Sequence, residues 1–68
     1  MPGQTNRNVV VTRVVAALRL MRSSRPTLTT LARELGTTER TARRYVESFE
    51  AAGVPIYRHG PHYRVEGL

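Results

Sequence analysis

The stretch Thr27-Leu-Thr-Thr-Leu-Ala-Arg-Glu-Leu-Gly-Thr-Thr-Glu-Arg-Thr-Ala-Arg-Arg-Tyr-Val46 decides the fold. Within it Leu28, Leu31, Ala32 and Leu35 recur at i, i+3, i+4 and i+7, the spacing of one helical face. Thr27 stands just before that stripe, where a hydroxyl accepts from a free amide of the first turn and caps the helix. Gly36 follows the last apolar residue, where the chain needs a left-handed conformation to leave a helix. Only Gly36 and Thr37 separate this helix from Thr38, the next expected cap. Two helices joined so tightly must turn sharply against each other, which is a helix-turn-helix arrangement. The second of them is expected over 39–52, with Ala42, Val46 and Phe49 inward and Tyr45 at the edge. Gly53 ends it, and Pro55 forbids its continuation.

Upstream, Val10, Val14, Ala17, Leu18 and Met21 mark another helical face, expected to run from an Asn8 cap to about Arg22. Ser23, Ser24 and Pro26 stop it. The polar residues 1–7, with Pro2 and Gly3, read as a flexible arm ahead of a domain over 8–66. Downstream the period changes to two. Val54, Ile56 and Tyr57, then His59-Gly60-Pro61, then Tyr63 and Val65 read as a hairpin around a Gly-Pro turn. The expected fold class is therefore mainly α with small β: three helices and a C-terminal β-hairpin, the winged helix-turn-helix order.

Charge bears on the partner. The chain has eleven basic residues, all arginine, and five acids, all glutamate, for a formal net charge of +6. Residues 1–33 hold six arginines and no acid, whereas 34–68 hold five of each. Such a surplus suits a polyanion. With no cysteine, neither disulfides nor thiolate metal sites can contribute to folding. The longest apolar stretch, 9–21, is interrupted by Arg13 and Arg19 and falls short of the roughly 18 residues of a membrane span. The acid-free N-terminus shares its composition with organellar transit peptides, but removing it would delete an apolar helix and leave about half a domain. The protein is expected to be cytoplasmic and nucleoid-associated.

The Leu-Ala-x-x-Leu-Gly helix, the following threonine cap and Arg40-Thr-Ala-Arg-Arg44 resemble the N-terminal winged helix-turn-helix of bacterial DeoR-type and WYL-domain regulators. The DNA-binding domain of the biotin-operon repressor is similar. Gly53-Val54-Pro55-Ile56 resembles the family's strand entry, and Tyr63-Arg64-Val65 its closing wing strand. The likeness runs from about Val9 to Val65. Three positions depart from it: Thr37 replaces an aliphatic residue in the turn, Tyr45 replaces an aspartate, and the His59-Gly-Pro-His62 tip is stiffer than the usual glycine-rich one. The resemblance implies transcriptional regulation through double-stranded DNA, in a bacterium or phage.

Successive helical residues lie about 100° apart, so with Ala42, Val46 and Phe49 inward, Arg40 and Arg44 fall near the middle of the outward face. A guanidinium there meets guanine O6 and N7 in a bidentate way, worth ~1–3 kcal/mol of discrimination, or else meets phosphate. Thr41 flanks one side as a base or phosphate contact. Arg43 flanks the other; as a phosphate contact it competes with an ion-pair ladder to Glu39 and Glu47. Thr38 is a cap first, and capped helix N-termini also present amides to phosphate. Glu39, at the first helical position, suits the helix dipole better than it suits a cytosine. Thr27 and Thr29 are phosphate candidates at the start of their helix. In the hairpin, Arg58 and His62 are the favoured DNA contacts among Arg58, His59, His62 and Arg64. Arg7 is suggested for a minor groove, while Arg13, Arg19 and Arg22 are read as facing away.

His59 and His62, with no cysteine and no nearby carboxylate, cannot complete a tetrahedral zinc shell, so no metal is expected. No nucleophile elbow, phosphate loop or acid–base pair is present, so no enzyme activity, cofactor or small-molecule ligand is expected either. The expected function is sequence-selective binding of duplex DNA, with helix 39–52 in the major groove and hairpin 56–65 on the flanking backbone. One such domain buries modest interface, which favours a homodimer on paired half-sites, the valine-rich first helix being its candidate surface. The rival reading is a winged-helix protein–protein adaptor whose Arg40 and Arg44 grip an acidic partner.

Overall fold

A computed structural model describes residues 2–67, with side chains from Asn8 onward. The order is α1 (Pro2–Ser23), α2 (Leu28–Leu35), α3 (Glu39–Ala51), β1 (Ile56–His59) and β2 (His62–Val65). Three helices followed by an antiparallel two-stranded hairpin make a mainly helical winged helix. The expected fold class is the observed one.

The stripes seen in the sequence build the core. Ala17 and Met21 of α1, Leu31, Ala32 and Leu35 of α2, Ala42 and Val46 of α3, and Tyr63 and Val65 of β2 are buried together. Val14, Leu18, Leu28, Tyr45, Phe49, Val54 and Ile56 close its edges. Tyr45 and Phe49, one turn apart, pack with ring centroids 6.1 Å apart, which gives the tyrosine a structural use.

The first helix departs from expectation at its start. It begins at Pro2 rather than at Asn8, so the backbone of 2–7 is continuous with α1. Proline suits a first helical position, where its missing N–H has no intrahelical acceptor, and nothing from Gln4 to Asn8 breaks a helix. Met1 and the Arg7 side chain lie outside the described residues. Val10 falls on the core-facing stripe and yet is 47% exposed. A helix of 22 residues is roughly 33 Å long, against roughly 12 Å for the eight of α2, so its N-terminal half outreaches the body that could cover it.

The turn between α2 and α3 forms as its glycine requires. Gly36 has φ +68°; its amide donates to Arg33 O, and the Thr37 amide donates to Ala32 O at 2.9 Å. These are the paired bonds of a left-handed helix terminus. Over the Gly36 Cα lies the Arg13 guanidinium from α1, so that a Cβ at Gly36 would stand 2.6 Å from Arg13 Cζ. A cation at this position faces the carbonyl end of α2, where the helix dipole favours it. Thr37 is half-buried in the turn. α3 ends at Ala51 with the same bond pair, Gly53 N to Glu50 O and Val54 N to Phe49 O.

In the hairpin, Ile56 pairs with Val65, Tyr57 with Arg64, Arg58 with Tyr63 and His59 with His62. Gly60 and Pro61 form a two-residue loop. Gly60 has φ +61° and proline cannot follow with a positive φ, which leaves the type II′ turn, whose twist matches the strands. The segment before α2 joins this sheet. Tyr63 N donates to Pro26 O at 2.9 Å, and Thr27 forms an antiparallel bridge with His62.

A candidate nucleic-acid interface on the third helix

The first turn of α3 is built by threonine. The Thr38 hydroxyl accepts from the Thr41 amide at 3.2 Å and donates to the Thr41 hydroxyl at 3.2 Å. A hydroxyl has one proton and two lone pairs. Thr38 has thereby spent its proton within the cap, and Thr41 keeps its own for an outside acceptor. The same device opens α2, where Thr27 accepts from the Thr30 amide and its oxygen lies 3.3 Å from the Thr30 hydroxyl.

Beyond this cap the exposed face of α3 carries Arg40, Arg43 and Arg44. Among the described residues the ion pairs are Arg58–Glu50 and Arg64–Glu66, so none of these three arginines is neutralised by a carboxylate. The ladder expected around Arg43 does not form. Glu39 instead turns to α2, where its Oε2 accepts from the Thr29 hydroxyl at 2.8 Å. That bond ties the two helices together and commits the single proton of Thr29, a candidate phosphate donor, to Glu39. Both observations give Glu39 the structural role. The result is three free cations within five residues, displayed from a helix whose inner face is anchored by Ala42 and Val46.

The remaining candidates sit apart from this helix face. Thr27 is half-buried as a cap. Arg58 lies on the side of the hairpin turned to the body. Its Nη2 reaches Glu50 Oε1 of α3 at 3.5 Å, and its guanidinium carbon stands 5.4 Å from the Tyr63 ring centroid. His62 is half-buried, and its Nδ1 lies 2.7 Å from Arg25 O. Since a carbonyl only accepts, that nitrogen carries the proton, and the ring latches the end of the α1–α2 connection to β2. The structure therefore brings Thr38, Arg40, Thr41, Arg43 and Arg44 together on α3, with Thr29 alongside at the α2 contact. Arg58 and His62 are on the hairpin.

Two arrangements went unseen in the sequence. The bridge at Thr27 is too short to show a period; the residue before a proline is biased to extended backbone, and Arg25-Pro26 was the one available sign. The seat of Arg13 on Gly36 depends on helix packing across 23 positions and left no local mark.

No group of three or more metal-ligating side chains exists among the described residues, and no helix there is long and apolar enough to cross a membrane. The profile of a family described as an HTH domain matches residues 12–64, more than three quarters of the chain. No curated protein and no solved structure shows a significant match.

Proposed function

Because the chain belongs to the helix-turn-helix (HTH) domain family, whose members are DNA-binding regulators, we propose that it reads particular sequences in duplex DNA. In this reading α3 lies in the major groove and the β1–β2 hairpin rests on the flanking backbone. Arg40 and Arg44 address base edges or the phosphates beside them. Arg43 and the remaining proton of Thr41 meet phosphate, and the capped start of α3, at Thr38, presents its amides to a phosphate oxygen. On the hairpin, Arg58 and His62 approach the neighbouring backbone. Thr29 acts through Glu39, setting the angle between α2 and α3.

The observation that carries this reading is the unneutralised state of Arg40 and Arg44. Like charges at i, i+4 cost a free helix a few tenths of a kcal/mol, and a polyanion turns that cost into attraction. The likeness of the turn and hairpin motifs to DeoR-type and biotin-repressor domains supports a transcription regulator of bacterial or phage origin, working in the cytoplasm. Val9, Val10, Val11 and Val15 stand exposed on α1, an apolar surface that suits a second copy and hence paired half-sites. Selection of bound duplexes from a random library, repeated at several salt concentrations, tests the proposal. A consensus with dyad symmetry is expected. Retention independent of sequence, together with capture of an acidic protein through Arg40 and Arg44, would favour the adaptor role instead.

A further inference from the structure

The two faces of the hairpin differ, and the outer one carries Tyr57, His59 and Arg64, which the proposed duplex contacts leave unused. Register places Ile56, Arg58, Tyr63 and Val65 on the inner face, toward the core and Glu50. Tyr57, His59, His62 and Arg64 share the outer face. Tyr57 is 56% exposed and sits directly across from Arg64. The His62 latch and the Tyr63–Pro26 bond bring Arg25 to this side, so that Arg25, Tyr57, His59, His62, Arg64 and Glu66, together with Arg58 and Tyr63 of the inner face, line one groove of about 300 Å³. A second hollow of about 200 Å³ shares Arg25 and Arg64 with it and adds Arg22 from the end of α1. Glu66 offsets one charge by pairing with Arg64 at 3.4 Å, leaving two guanidinium groups in excess.

We propose that this outer face is a second nucleic-acid site, one that takes unpaired nucleotides of single-stranded DNA. Arg22, Arg25 and Arg64 hold the phosphates, and Tyr57, with His59 two residues along the strand, supplies ring faces for bases. A duplex backbone would be served by the cations alone. An exposed aromatic beside them adds affinity only where a base offers its own face, and bases in a duplex are already stacked on their neighbours. Combining a cationic track with an aromatic platform is how proteins hold single strands without reading their sequence. Tyr57, Arg22, Arg25 and Arg64 are none of the residues assigned to the duplex, whereas Arg58 and His62 border this groove and are shared with that reading.

Fluorescence anisotropy with labelled oligothymidylate and, separately, with a labelled random-sequence duplex tests this on the intact chain at one fixed low salt concentration. Tyr57→Ala is expected to weaken single-strand binding about 5- to 150-fold, the range for loss of one stacked base, with duplex binding unchanged within about twofold. Tyr57→Phe, which keeps the ring, restores the single-strand affinity. Arg25→Ala with Arg64→Ala lowers single-strand binding and its salt dependence. Arg40→Ala with Arg44→Ala is expected to do the converse, losing duplex and sparing single strand. Thymidine monophosphate at equal nucleotide concentration should not compete. Circular dichroism confirms that each variant folds. Undetectable single-strand binding, indifference to Tyr57→Ala, or parallel losses on both probes would overturn the proposal. Equal competition by the mononucleotide would replace the strand with a free nucleotide and overturn it as well.

Discussion

Replacing Gly36 with alanine probes the joint that sets α3 against α2. The backbone there has φ +68°, and a non-glycine residue in the left-handed region costs roughly 1–2 kcal/mol. The new methyl would also meet the Arg13 guanidinium, with Cζ 2.6 Å away, so that side chain must move off the end of α2. Losing its attraction to the helix terminus adds about half a kcal/mol, kept small because Arg13 is solvent-exposed. Gly36→Ala should therefore destabilise by about 1.5–2.5 kcal/mol. For a domain of this size each kcal/mol moves Tm by roughly 4–8 °C, so a fall of about 6–20 °C is expected. Thermal and urea unfolding followed by circular dichroism measure it. A double-mutant cycle separates the two contributions. In an Arg13→Ala background the side-chain part has already been removed, so Gly36→Ala should cost less there by about half a kcal/mol. Two results would refute the reasoning: a neutral Gly36→Ala, or a cost that is larger once Arg13 is gone.

Other perturbations test the remaining joints. Leu31→Ala empties a fully buried position, one of nine buried apolar side chains among the described residues, and should cost about 2–5 kcal/mol, enough to leave much of the chain unfolded at 37 °C; its urea midpoint measures this. Thr38→Ala removes the cap of α3 and should cost about 1 kcal/mol in thermal unfolding. Arg58→Ala breaks an exposed pair with Glu50 and a contact with the Tyr63 ring, so stability should change by less than about 1 kcal/mol. If Arg58 touches phosphate, duplex affinity measured across salt concentrations should fall by a similar factor for all sequences, with the salt slope reduced by about one.

Helices and hairpin were legible because their signals are local. The i, i+3, i+4, i+7 stripe of α2, its threonine cap and its glycine exit are all contained in ten residues, and each formed as read. The hairpin was legible for the same reason: β-prone residues on either side of Gly60-Pro61 fix both strands and turn. Where the reading stopped short, the cause was a contact between distant segments or a missing one. The Val10 position belongs to the apolar stripe by period, but only the lengths of α1 and α2 decide that nothing covers it. Glu39 has an arginine four residues along its own helix, yet it binds Thr29 across the turn, because the packing of α2 on α3 places that hydroxyl closer. The outward display of Arg40 and Arg44 followed directly from helical period. The grouping of Arg22, Arg25 and Arg64 did not, since it depends on the latch between His62 and the Arg25 carbonyl.

The central claim is that the guanidinium groups of Arg40 and Arg44 engage duplex DNA. Its most direct test is retention of a selected consensus duplex by Arg40→Ala/Arg44→Ala, with excess nonspecific competitor present and folding verified by circular dichroism. Loss of both a bidentate base contact and its neighbour should weaken specific binding at least tenfold and bring it close to the nonspecific level. Unchanged retention by the folded double variant would contradict the account.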